Sequence, residues 1–229
     1  MSLEIDPSWD IIQNQVYLEP LKTLSTKILP NIKYYPEKNN IFRVFKKPIT
    51  DIKVVILGQE PYPNPGDAIG LSFVNGTEKV PALLRIIKEE LKAQGYTLPD
   101  IHTWEEQGVF LLNTALTVEA GNTGSHLKYW EDFTKTVIQY LSETQPTIWI
   151  LWGKKAQSIV NNISKPYIIT KEFSDYNDLP VDSGYNFILN SVHPITEVYA
   201  GGKAGFYGNN HFISVNKILK KKKLKEIIW

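Results

Sequence analysis

Lys53-Val54-Val55-Ile56-Leu57 runs directly into Gly58-Gln59-Glu60-Pro61-Tyr62-Pro63, and this junction organises the rest of the chain. The first half is about strand length and apolar at successive positions, so both faces must be covered. That is the signature of a strand in a parallel sheet packed between helices. The second half breaks the strand and begins a Pro- and Gly-rich loop over 58–70. Working outward, three further runs have the same character: Val109-Phe110-Leu111-Leu112, the run from Thr147 to Trp152, and the run from Tyr185 to Leu189. Between them, Leu83, Leu84, Ile87 and Leu91 predict a helix over 80–94, and Trp130, Phe133, Val137 and Leu141 predict one over 129–141. Strands alternating with helices predict an α/β chain, a three-layer α/β/α arrangement around a four-stranded parallel sheet. One domain spanning residues 1–229 is expected, since no linker, repeat or low-complexity block divides it.

Composition narrows the chemistry. The 229 residues carry 25 Lys+Arg against 24 Asp+Glu, a net charge of +1, so any nucleic-acid footprint is local rather than global. With no cysteine, the chain has no disulfide scaffold, thiol nucleophile, iron–sulfur cluster or Cys-ligated zinc. No apolar run approaches membrane-spanning length, and the stretch from Met1 to Asp10 lacks a signal-peptide pattern. A cytoplasmic protein is expected, or a nuclear one in a eukaryote.

The carboxyl end of each apolar run carries distinctive residues. The first run ends in Gly58-Gln59-Glu60, the second in Asn113-Thr114, the third in Gly153-Lys154-Lys155 and the fourth in Asn190-Ser191-Val192-His193-Pro194. In parallel α/β sheets the ligand crevice lies beyond the carboxyl ends of the strands. A carboxylate, a carboxamide and an imidazole are therefore aimed at one place. A flavodoxin-like nucleotide binder is disfavoured, because the first βα loop carries neither G-x-G-x-x-G nor a P-loop.

These residues also carry a resemblance. KVVILGQEPYPNPGDAIGLSF, LLNTALTV with SHLKYWEDFT, ILWGKKAQ, and HPITEVY with GFYGNNHF resemble, in order and spacing, the four blocks of the family 1 uracil-DNA glycosylases over about residues 35–229. The resemblance implies hydrolysis of the N-glycosidic bond of a flipped-out uracil in DNA, without metal or other cofactor, by a monomer. It also implies two partners, DNA (single- or double-stranded) and a proteinaceous glycosylase inhibitor. By the same resemblance Glu60 positions water and stabilises the sugar cation, and His193 donates to the uracil oxygen. Asn113 reads the base edge, Phe73 stacks on the base, Tyr62 excludes a C5 methyl, and Gln59 supports the uracil oxygens. For DNA contact it offers Pro81, Ala82, Ser125 and His126, with Ile195, Val198 and Tyr199 as candidates to fill the vacated stack. Ser125 reads equally well as a plain helix N-cap.

The departures are specific. Glu60 stands where the family has Asp, and Pro63 where it has His. Val80-Pro81-Ala82-Leu83 replaces Pro-Pro-Ser-Leu, and the Gly201-Gly202-Lys203-Ala204-Gly205 stretch reads as an insertion. They keep two alternatives open: a glycosylase for another modified base, and a DNA-binding replication factor with attenuated catalysis.

Overall fold

The computed structural model describes residues 5–15, 19–97, 100–170 and 176–229. In chain order its strands are β1 (Tyr34–Tyr35), β2 (Val54–Gly58), β3 (Val109–Asn113), β4 (Val118–Glu119), β5 (Ile148–Trp152), β6 (Pro166–Ile169) and β7 (Asn186–Ser191). The helices are α1 (Asp10–Gln15), α2 (Glu19–Thr23), α3 (Ala82–Ala93), α4 (Leu127–Thr144), α5 (Lys154–Gln157), α6 (Thr196–Tyr199) and α7 (His211–Lys221).

All four expected strands form, and they join one parallel sheet in the order β3-β2-β5-β7-β6. The expected count of four is corrected to five by β6, an edge strand that opens on Pro166 and leaves Ile168 half exposed. Proline's missing N–H is tolerated at such an edge, and partial exposure removes the continuous apolar run. By contrast, every residue of β2, β3 and β5 is buried. Such large apolar side chains contribute roughly 1.5–3 kcal/mol each on burial. The two long predicted helices appear as α3 and α4, each burying one apolar stripe.

Residues ahead of the resemblance also belong to the core. The Trp9 ring stacks on Phe110 at 5.3 Å and meets the edge of Phe45 at 5.2 Å. Its indole N–H donates to the Lys47 carbonyl at 2.9 Å, so the polar atom is satisfied where it is buried.

Candidate active site

Parallel register aligns the strand ends that matter. Gly58 of β2 pairs with Asn113 of β3, and Trp152 of β5 with Ser191 of β7. The loops leaving this edge enclose a cavity of about 380 Å³ lined by Gln59, Glu60, Tyr62, Phe73, Asn113, His193 and Ile195. An adjoining hollow of about 320 Å³ shares Gly58, Gln59, His193 and Ile195 with it and reaches Gly153, Lys154 and Lys155. Acid, amide, imidazole and aromatic ring thus face one space of ligand-pocket size.

Glu60 is fixed at both oxygens. Oε2 accepts the Gly124 backbone N–H at 2.6 Å, and Oε1 accepts Gln59 Nε2 at 3.0 Å. Its loop is tied down in turn. The Gln59 carbonyl accepts Thr114 Oγ1 at 2.7 Å and Ala115 N–H at 2.9 Å, and the Pro63 carbonyl accepts Gly121 N–H at 2.9 Å. The extra methylene of glutamate therefore has a structural use: it spans to the turn at 121–124. A charge-assisted bond from a backbone donor holds it there.

His193 presents one definite tautomer. The Ile195 backbone N–H approaches Nδ1 at 3.3 Å, so Nδ1 accepts and Nε2 carries the proton. Burial pushes its pKa below the usual histidine value, which keeps the ring neutral near pH 7. The turn beyond is closed by the His193 carbonyl, which accepts Thr196 N–H at 3.0 Å and Thr196 Oγ1 at 2.6 Å. Gly153 makes this approach possible, because a Cβ there would stand 2.9 Å from the Cβ of His193.

Asn113 is buried, and no hydrogen bond from the described residues engages its amide, so both ends are free for a ligand. Gly58 leaves it room: a Cβ there would lie 2.4 Å from Asn113 Oδ1 and 2.8 Å from Ser72 Cβ.

Phe73 is at once core and cavity wall. It is 7% exposed, its edge meets the Trp152 ring at 5.5 Å, and its backbone sits at φ 65°. A bulky residue in the left-handed region costs on the order of 1–3 kcal/mol and persists only where its surroundings impose it. Tyr62 is one such restraint, its hydroxyl donating to the Phe73 carbonyl at 3.2 Å. Burial, with the nearby Asp67 charge, raises the Tyr62 pKa far enough to keep that donor protonated.

The residues expected at DNA lie on or beside three separate helices, α3, α4 and α6. Pro81 caps α3 and Ala82 begins it, exposed. Ile195 reaches the cavity, and Tyr199 stands 83% exposed. Ser125 does not cap α4, whose N-cap is His126; its hydroxyl instead accepts the Glu119 N–H at 2.9 Å. His126 is only 2% exposed, with Nδ1 3.0 Å from Thr117 Oγ1, so the structure keeps it inside rather than at the surface. Sequence reasoning missed Gly124, Thr123 and Leu83. The first acts through its main chain, and the other two enter the cavity wall only through tertiary placement. Among the described residues no cluster of three or more His, Asp or Glu is placed to hold a metal.

A family model described as the uracil DNA glycosylase superfamily matches residues 46–220. The chain belongs to this family. Among similar glycosylases, that of Aliarcobacter butzleri is 39% identical over 96% of this chain and 98% of its own. That of Aliivibrio fischeri is 39% identical over 85% of this chain and 82% of its own. The crystal structure of mimivirus uracil-DNA glycosylase superposes with a TM-score of 0.80 at 25% identity, covering 99% of this chain and 88% of that one. A mimivirus variant in complex with UGI superposes at 0.81.

In the geometry of this glycosylase-family chain, Gly58→Ala is expected to displace the Asn113 amide. A misplacement of about 1 Å can cost on the order of 10² in rate. The check is kcat/KM for base release beside the Tm of the same variant: a large fall in the first, with the fold retained, is the expected outcome.

Proposed function

We propose that the chain is a monofunctional uracil-DNA glycosylase that uses Glu60 where its relatives' motif carries aspartate. One observation carries this reading: Glu60, Asn113, His193 and Phe73, contributed by distant parts of the sequence, line a single cavity.

The everted base enters against Phe73. Stacking on an aromatic ring is worth roughly 1–3 kcal/mol per base. The Asn113 amide offers an acceptor to uracil N3–H and a donor to O4; cytosine presents the reverse pattern and leaves both groups unpaired. Tyr62 closes the space beside C5. As the C1′–N1 bond breaks, negative charge develops on the uracil oxygen, and the His193 Nε2–H stabilises it there. The sugar becomes cationic. Glu60 stabilises that cation and orients water, whose hydroxyl adds to C1′ while its proton balances the departing uracil anion. The products are free uracil and an abasic site.

Eversion from a duplex must be offset by contacts with the strand left behind. Strand contact is assigned to Pro81, Ala82 and Ser125, neighbours in sequence of the cavity-lining Leu83 and Thr123, while the burial of His126 argues against that role for it. Tyr199, the most exposed large side chain near His193, is assigned to the vacated stack, with Ile195 beside the base. The mimivirus variant solved in complex with UGI supports a protein inhibitor as a second partner.

The test is direct. Purified protein in EDTA is incubated with single- and double-stranded oligonucleotides bearing one uracil, and free uracil and alkali-labile sites are measured. Stoichiometric appearance of both is expected. Binding of the uracil strand without release of base would overturn the assignment, and preference for another lesion in a parallel panel would redirect it.

A further inference from the structure

Glu197 lies four residues beyond His193 on the short helix α6 and is only 3% exposed. A buried carboxylate needs compensation, and here backbone N–H groups supply it. Oε2 accepts Ala204 N–H at 2.9 Å, while Oε1 accepts Phe206 N–H and, at 3.2 Å, Tyr207 N–H. Burial alone would raise its pKa, but these donors, with that of Gly205, more than offset it and hold the side chain as the anion.

The donors all belong to the segment closing the Gly-rich insertion. Its turns need glycine, since Gly201, Gly202 and Gly205 have φ of 58°, 80° and 96°. The Gly202 N–H returns to the Glu197 carbonyl at 3.0 Å, so the insertion is folded back onto α6 from both sides of this residue. The far end is anchored in turn. Phe206 is fully buried with its ring 5.1 Å from Trp152, the ring that also supports Phe73. One carboxylate therefore joins the helix carrying Tyr199 to the scaffold beneath the base platform.

Accordingly, we infer that Glu197 is a positioning residue for duplex DNA: it holds α6 and the insertion as one unit, so that Tyr199 meets the helix stack in a fixed direction while the base is everted. The inference rests on the glycosylase reading and on Tyr199 as the wedge. It assigns Glu197 no contact with the base, sugar or water. An everted base in a duplex leaves a gap and a broken pair, whereas a single strand has little stacking to replace. Loss of the clamp should therefore be felt mainly on duplex substrate.

The experiment compares kcat/KM on single- and double-stranded substrates of the same sequence for the wild type, Glu197→Ala, Glu197→Gln, Tyr199→Ala and the Glu197→Ala/Tyr199→Ala double variant. Glu197→Ala is expected to lose up to about 10²-fold on duplex, the scale of a misplacement of about 1 Å, and much less on single strands. Glu197→Gln, which keeps one acceptor oxygen but sets an amide donor against a backbone donor, should fall between. The double variant should be no worse on duplex than the poorer single variant, because both changes remove the same wedge. Equal losses on the two substrates, or losses that multiply in the double variant, would overturn the inference. If Glu197→Ala does not fold, the isosteric Glu197→Gln decides by the same duplex-to-single-strand ratio. Wild-type protein that frees uracil from neither substrate would instead overturn the functional reading and this inference with it.

Discussion

Glu60→Gln should slow single-turnover release of uracil by about 10²–10⁴-fold, the usual contribution of a positioned acid–base group, while binding of uracil-bearing DNA changes little. The substitution keeps the side-chain length, so the Gly124 N–H at 2.6 Å still finds an oxygen, and the loop need not move. What disappears is the negative charge opposite the developing sugar cation. Glu60→Asp makes the complementary test. It restores the residue of the family motif yet retracts the carboxylate by one carbon–carbon bond, about 1.5 Å, from the turn that fixes it. A loss on the order of 10² is expected, not a gain. Single-turnover rates read both variants. Unchanged turnover in Glu60→Gln would show that the carboxylate does no chemistry, and a faster Glu60→Asp enzyme would show that the Gly124 contact is not what makes glutamate work here.

His193→Ala is expected to cost about 10²–10³ in kcat, the typical loss of one preorganised donor, with KM little altered because the bond strengthens only as charge appears on the base. The pH profile separates this role from simple packing. A half-buried imidazole with a lowered pKa stays neutral to more acidic pH than free histidine. Its protonation would place a hydrogen on Nδ1, against the Ile195 N–H at 3.3 Å, and break that contact. Activity should therefore hold as pH falls to the ordinary histidine value and decline only below it. The same proton uptake is unfavourable in the folded state, so stability should also decrease at acidic pH as the unfolded chain takes up the proton first. An acid limb centred above the ordinary histidine value would contradict this assignment.

The parts of the molecule that sequence revealed are those where burial is complete. β2, β3 and β5 are covered on both faces and read as unbroken apolar runs, whereas β6 is an edge strand, half exposed and begun by proline, and gave no such run. Glu60, Asn113 and His193 were legible because the ends of parallel strands are where side chains can converge, and their ordered motifs reinforced the point. The support around them was not. Gly124 acts through a main-chain N–H, which leaves no side-chain signature, and Glu197 finds its donors seven to ten residues further along a folded-back loop. His126 was singled out by its pairing with Ser125 in the family motif, whereas its burial, with Nδ1 beside the Thr117 hydroxyl that also accepts the Trp130 indole N–H, emerges only in the fold. The wedge could not be chosen among Ile195, Val198 and Tyr199 because each is bulky enough to fill a gap in a base stack, whereas their different exposures emerge only in the fold.

β5 stands between the strand that delivers the acid and the strand that delivers the imidazole. Adjacent strands lie about 4.8 Å apart, so the two groups depart from points separated by roughly 9.6 Å, a distance metered by main-chain hydrogen bonds rather than by any side chain. Mutation can retune the loops at either end, exchanging aspartate for glutamate or lengthening an insertion, without altering that gauge. Substrate range in such an enzyme can thus drift by small steps, while the span across which the glycosidic bond is polarised is inherited unchanged with the sheet.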